Sequence, residues 1–281
     1  MILVTGSSDF IGQHLVKTFR NENIITISRS GSMNDLTLTS ETDLSPLLSG
    51  VDCCIHLANT AHGKSIAYSE IYANNVDMTL NLFKQCQVNG VKKFIYISTA
   101  NNLDDLKTGT LNYYQTKTKK IVEKEMLMLV NQFSMQVLII RCPMIYGKGV
   151  PGNLDKLKKL FKYFPFSPFK SIDNKISILS VNNLVDLIRE AVYNIDFESQ
   201  IILAEERESI KISRLIDILV EDRKVIHLNV NVDFLAVAFG LLGLKNMYVT
   251  LCCNSKLDHT GVNKSFSWCP KYTIGNTISK V

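Results

Sequence analysis

No two cysteines in this 281-residue chain stand in a C-x-x-C arrangement, although seven are present. The number is odd and two pairs are adjacent, Cys53-Cys54 and Cys252-Cys253, so neither a disulfide framework nor a thiolate metal or redox centre is written into the sequence. They read as reduced, buried small hydrophobes, and no metal ion is expected. Long apolar runs are missing as well. The longest, Phe234 to Leu244, has eleven residues and is too short to span a bilayer, and no basic n-region precedes the apolar start. The expectation is a cytoplasmic chain with no membrane partner. Strong charge of one sign is also absent. A formal charge of +5, spread along the chain, gives a mild preference for anionic ligands and no nucleic-acid footprint. Internal repeats and low-complexity segments are lacking, and with 46% hydrophobic residues the chain suits one large domain or a domain plus a smaller lobe.

What is present begins at once. Met1 to Val4 is continuously apolar, as a parallel strand covered on both faces should be. Ile11, Leu15 and Phe19 then recur at helical spacing. Between them Gly6 makes a tight turn facing the helix N-terminus, whose free N–H groups and positive dipole end suit a dinucleotide pyrophosphate, and Gly12 lets helix and strand approach closely. Asp9 stands where the glycine fingerprint has its middle glycine. It either caps the helix or brings a carboxylate near the phosphates.

Apolar, β-branched segments follow at Ile24–Ser28, Val51–Leu57, Val91–Ile97, Val137–Arg141, Ile176–Ser180 and Ile201–Ala204, with helical periodicity over Ser69–Val88, Asn112–Asn131 and Asn182–Tyr193. This alternation predicts an α/β fold, a Rossmann-type doubly wound parallel sheet. Regularity stops at the glycine-proline break Gly147 to Asn153. The expected division is a dinucleotide-binding domain over 1–147, with 176–204 packing back onto it, and a smaller C-terminal substrate lobe from 148–175 and 205–281.

Ligands bind such sheets at the carboxyl ends of the strands. Strand two is followed by Ser28-Arg29-Ser30, with no acidic residue for a ribose 2′-hydroxyl. Arg29 fits a 2′-phosphate, or it is a solvated loop arginine; the first reading favours NADP(H) over NAD(H). Asp35 and Leu36 are candidate adenine contacts. Strand three ends in His56-Leu57-Ala58 and strand four in Ser98-Thr99-Ala100. His56 reads as a satisfied structural histidine, because no carboxylate partner stands nearby in sequence. Tyr113 and Lys117, four apart on a predicted helix, put a phenol and an ammonium on one face. Such spacing arises readily by chance in a lysine-rich chain, so its weight comes from position. The lysines at 156, 158, 159 and 162 read as a solvated helix face.

These segments together resemble the extended short-chain dehydrogenase/reductases, the nucleotide-sugar epimerase and dehydratase group. The resemblance rests on Thr5-Gly6…Phe10-Ile11-Gly12, His56-Leu57-Ala58, Asn75-Val76-x-x-Thr79-x-Asn81-Leu82, Phe94 to Thr99, Tyr113-x-x-x-Lys117 and Arg141 to Gly147. From Arg141 through Leu154, and again at Asn174 and Asn183 to Asp186, the chain looks like bacterial 4-epimerases and 4-keto reductases of UDP-N-acetyl-hexosamines that serve surface polysaccharide synthesis. The resemblance implies an NAD(P)-dependent enzyme acting at C4 of a UDP-hexose, with a homodimer as a possible assembly. It makes Tyr113 the acid/base, Lys117 its electrostatic partner and ribose ligand, and Thr99 the hydroxyl that orients the sugar. It implies a coenzyme site of Gly6, Ser8, Phe10, Ile11, Gly12, Leu57, Ala58, Asn75, Tyr113, Lys117 and Pro143, and substrate contacts from Thr99 and Asn153. The chain departs from the pattern at Asp9, at Tyr114, and at Ile176, where an arginine often binds the nucleotide diphosphate; the basic run Lys156, Lys158, Lys159 and Lys162 either compensates for that arginine or is only a solvated helix face. A non-catalytic NAD(P)-binding sensor or assembly protein on the same fold is the alternative.

Overall fold

The computed structural model describes residues 1–27, 38–59, 67–130, 134–193, 197–220, 223–241, 248, 257–263 and 267–272. They form two units, one of residues 1–142, 184–204 and 258–268, the other of 143–183, 205–257 and 269–281.

In the first unit β1 (Ile2–Thr5) leads through a turn to α1 (Phe10–Thr18), and β2 (Ile24–Ile27) follows. The short α2 (Ser45–Leu48) precedes β3 (Cys53–His56). Then come α3 (Tyr68–Tyr72), a π-helical turn over Ala73–Asp77 and α4 (Met78–Val88). Strand β4 (Lys93–Thr99), helix α5 (Leu111–Leu129) and strand β5 (Gln136–Cys142) complete the run. Thr110 caps α5, its Oγ1 accepting from the Tyr113 N–H at 3.3 Å.

The second unit holds β6 (Met144–Tyr146), α6 (Asn153–Tyr163), β7 (Phe166–Ser167), β8 (Lys175–Ile176) and β9 (Ile178–Ser180). Helix α7 (Val181–Tyr193) leads back to the first unit and to β10 (Gln200–Leu203). The second unit then resumes with β11 (Ile210–Lys211), α8 (Ile212–Leu219), β12 (Ile226–His227) and α9 (Val232–Leu241).

Six strands make one parallel sheet in the order β10-β5-β4-β3-β1-β2. Strand order reverses between β1 and β3, and a doubly wound sheet opens its ligand crevice at that point. Strands β1 and β3 are buried at every position, which is why Ile2–Val4 and Cys53–Ile55 are apolar without a break before Thr5 and His56 end each strand. Cys53, Cys54, Cys86 and Cys142 are free and buried, and burial pushes the Cys53 and Cys142 thiols up to about 12. They stay protonated and behave as hydrophobes.

Two sequence expectations meet a different arrangement. The run Ile176–Ser180 forms no strand of the main sheet; β8 pairs antiparallel with β11 and β9 pairs parallel with β6, all in the second unit. The unit boundary falls after Cys142 rather than at 147, and residues 258–268 pack with the first unit. Among the described residues no helix is long and apolar enough to cross a membrane.

Candidate active site

The turn after β1 is held by the neighbouring strand. The Gly6 N–H donates to the Ile27 carbonyl at 2.8 Å and the Leu57 N–H to the Thr5 carbonyl at 3.1 Å. Gly6 has φ +74°, and a Cβ there would lie 2.7 Å from the Ala58 nitrogen. A Cβ on Gly12 would lie 2.2 Å from the Gly6 carbonyl oxygen. Both positions therefore exclude any side chain, one by conformation and contact, the other by contact with backbone. The carboxyl ends of β1 and β3 meet backbone to backbone at the strand-order reversal, with the N-terminus of α1 opening onto the same turn. This fits a dinucleotide whose pyrophosphate lies against backbone N–H groups. Ser8 is exposed, and Phe10 and Ile11 are half-buried in the first turn of α1. Asp9 occupies the cap position in extended conformation, but its side chain makes no capping hydrogen bond. The capping expected of its carboxylate is absent; the Asp9 N–H donates to the Gly6 carbonyl at 3.1 Å instead.

His56 is walled in by hydroxyls. Nδ1 lies 2.7 Å from Thr5 Oγ1 and Nε2 2.9 Å from Thr79 Oγ1, and the ring stacks on Tyr96 at 5.9 Å. Burial, assisted by the Lys119 charge, brings its pKa down to about 3, so the neutral ring donates to one threonine and accepts from the other. It ties β1, β3 and α4 together. Asn75, buried in the π-helical turn, donates from Nδ2 to Thr118 Oγ1 of α5 at 3.2 Å. Turns of this kind recur at functional sites.

Strand β4 and helix α5 carry the reacting groups implied by sequence. Thr99 ends β4, and its Oγ1 accepts from the Asn101 N–H at 3.2 Å. Tyr113 is half-buried in the first turn of α5, its ring 5.7 Å from that of Tyr114. The Lys117 ammonium lies 5.3 Å from the centre of the Tyr68 ring, a cation–π contact. Sequence reasoning passed over Lys119. Its Nζ donates to the Ile97 carbonyl of β4 at 2.9 Å, and burial lowers its pKa to about 8 against the opposing pull of Cys142 and Glu123. Lys119 lies amid the buried residues Thr116, Val122, Glu123 and Met126 of α5, and Lys117 lies about 200° away around the helix. The usable signal was helical phase: the apolar positions Val122, Met126 and Val130 mark the sheet-facing side, and Lys119 falls on it.

Below this edge Glu123 accepts from Ser98 Oγ and from the Arg141 guanidinium, the latter at 2.6 Å from Nη2. Arg141 Nη1 also donates to the carbonyls of Asp258 and Thr260, at 3.1 and 2.7 Å, and Lys120 pairs with Asp258 at 2.6 Å. Desolvation would raise the Asp258 pKa, yet hydrogen bonds from Lys120 and Thr260 hold it well below the usual carboxylate range.

A family model for the NAD dependent epimerase/dehydratase family matches residues 2–165, more than half of the chain. The chain belongs to this family. It is an NAD-dependent enzyme. UDP-glucose 4-epimerase from Vibrio cholerae is 28% identical over 97% of this chain and 92% of its own length. A decarboxylating sterol-4-alpha-carboxylate 3-dehydrogenase from Dictyostelium discoideum is 26% identical over 52% of this chain and 53% of its own. Among solved structures, UDP-N-acetylglucosamine 4-epimerase from Bacillus cereus shares the fold with a TM-score of 0.71 at 16% identity, over 99% of this chain and 93% of that one.

Within this epimerase/dehydratase the expected site residues distribute unequally. Gly6, Ser8, Phe10, Ile11, Gly12, Leu57, Ala58, Asn75, Thr99, Tyr113 and Lys117 all belong to the first unit. Pro143, buried after β5, and Asn153, exposed at the start of α6, belong to the second. Arg29, Asp35 and Leu36 lie outside the described residues. A cavity of about 350 Å³, lined by Met1, Asp52, Lys92, Lys93 and Tyr193 among others, opens at the amino ends of β1, β3 and β4, opposite the dinucleotide turn.

Proposed function

We propose that the protein moves a hydride and a proton at C4 of a UDP-activated hexose, as a 4-epimerase or a 4-keto reductase. The observation that carries this reading is the similarity to the Vibrio UDP-glucose 4-epimerase along 97% of the chain, both units included, whereas the sterol dehydrogenase matches only half of it. The coenzyme, when bound, supplies the hydride acceptor and donor. The chain's own groups handle the proton and the geometry. Thr99 orients the 4-oxygen and Tyr113 moves its proton. A phenol with an ordinary pKa near 10 is a poor base at neutral pH, so a nearby ammonium must stabilise the phenolate. Lys117 has the spacing for that task. Asn153 contributes a substrate contact.

One observation favours a second reading of the lysine: the Lys119 ammonium on α5 donates to the Ile97 carbonyl of β4 at 2.9 Å, and burial lowers its pKa. The two readings separate in one comparison of Lys117→Met with Lys119→Met. The variant that loses coenzyme affinity along with rate identifies the lysine at the ribose.

The test of the whole proposal is turnover of UDP-GlcNAc to UDP-GalNAc, or reduction of a UDP-4-keto-hexosamine. Tyr113→Phe removes one hydroxyl, so coenzyme binding persists while turnover drops by about 10²–10⁴. Thr99→Val slows the reaction with coenzyme affinity nearly unchanged. Full turnover by Tyr113→Phe would remove the acid/base assignment, and failure of any nucleotide sugar to bind would favour the sensor alternative. A nicotinamide that stays bound through purification supports the epimerase form; stoichiometric NAD(P)H consumption supports the reductase.

A further inference from the structure

The second unit carries a surface that the nucleotide-sugar reading does not use. Between residues 153 and 170 five lysines interleave with five aromatic residues against a single acid, Asp155. Helix α6 buries Leu154, Leu157 and Phe161, leaving Leu160 and Tyr163 46% and 74% exposed on its other flank. Phe164 and Phe166 follow at 67% and 57%, and the pairing of β7 with β12 sets Ile226, itself 50% exposed, beside Phe166. Arg223 joins the two stretches by donating from Nη1 to the Lys162 carbonyl at 2.7 Å. One apolar patch results, rimmed by exposed Lys156, Lys159, Lys162, Arg223 and Lys224. Of these cations only Lys159 has an acidic partner among the described residues, Asp155 at 2.7 Å.

Contiguous exposed apolar surface of this kind marks an interaction site. Its rim selects the partner. A two-fold contact with a second copy sets the same patch against itself and would bring lysine onto lysine, whereas lysines around aromatic tips suit a phospholipid headgroup layer. We propose that this face docks reversibly on the anionic surface of a phospholipid bilayer, with Tyr163, Phe164 and Phe166 entering the headgroup layer and the surrounding lysines paired with lipid phosphates. Such attachment lies along the surface and needs no spanning helix, so the shortness of the Phe234–Leu244 run does not bear on it.

The test is flotation of the full chain with vesicles of phosphatidylglycerol mixed with phosphatidylcholine, a readout that needs neither substrate nor coenzyme. The protein should float with mixed vesicles at low ionic strength, stay behind with pure phosphatidylcholine, and detach in about 1 M salt, where screening acts within about 3 Å. Phe164→Ser with Phe166→Ser, and separately Lys156→Glu with Lys162→Glu, should each lower the vesicle-bound fraction about tenfold. All four side chains are exposed, and an unchanged melting temperature checks that each pair still folds. The proposal is overturned if the unmodified protein ignores anionic vesicles at low salt, or if it binds them as well with both pairs of substitutions. It is equally overturned if the same substitutions dissociate a homodimer, seen by light scattering, in a protein that floats with no vesicle.

Discussion

The Lys119 charge adds to the burial that lowers the His56 pKa, and burial lowers that of Lys119 itself. The ordinary lysine pKa is 10.5 and burial brings this one to about 8. Between those values the unfolded chain binds more protons than the folded one, so this group's contribution to stability rises with pH through the window from 8 to 10.5. Below 8 the buried charge is a constant penalty. Denaturant midpoints of the parent and of Lys119→Met, compared at pH 7 and pH 10, should therefore shift in the parent's favour at the higher pH. The sequence expectation for Arg29 is testable at this scale: if Arg29 meets a 2′-phosphate, the parent should bind NADPH more tightly than NADH, and Arg29→Ala should erase most of the difference in a fluorescence titration. Equal or better NADH affinity in the parent would align it with the NAD dependence in its family's description. Residue roles were legible where they follow from local spacing. Gly6 and Gly12 could be placed from the strand-turn-helix pattern alone. The hydroxyl partners of His56 could not, because Thr5 and Thr79 lie 51 and 23 residues away and only pairing of β1 with β3 under α4 brings them together.

At the scale of elements, the turn into α1 is a tight joint between backbone segments. Gly12→Ala would force a methyl group to 2.2 Å from a backbone carbonyl, and backbone cannot swing aside as a side chain can. A destabilisation of about 1–3 kcal/mol, together with weakened coenzyme binding, should appear in thermal melts and titration. Asp9→Gly should behave differently. With no side-chain capping bond to lose, it should cost only a few tenths of a kcal/mol and leave dinucleotide affinity unchanged or improved. The helical stretch from α3 to the end of α4, and helices α5 and α7, were readable within a few residues because their apolar positions recur with the helical period. The π-helical turn inside the 68–88 segment was not readable; Asn75 turns inward there toward Thr118, a contact absent from the local pattern. The apolar run at 176–180 misled for another reason. A short buried strand looks the same in sequence whichever sheet it joins, and this one joins small pairs in the second unit.

For the molecule as a whole, the decisive feature is the return of residues 258–268 to the first unit. Asp258 answers both Lys120 and Arg141. Asp258→Ala should destabilise the protein by about 1.5–3 kcal/mol, the usual worth of hydrogen bonds to charged groups, measured by denaturant unfolding at neutral pH. Its depressed pKa means that this contribution is present at neutral pH and fades as acid protonates the carboxyl group. The same return has a consequence for biosynthesis. Residues 1–142 leave the ribosome first, yet the carbonyls that satisfy Arg141 follow it by 117 and 119 positions, after the chain has passed through the second unit. In the nascent first unit Arg141 can already pair with Glu123, but its Nη1 lacks these two carbonyls until nearly the last of the described chain has emerged.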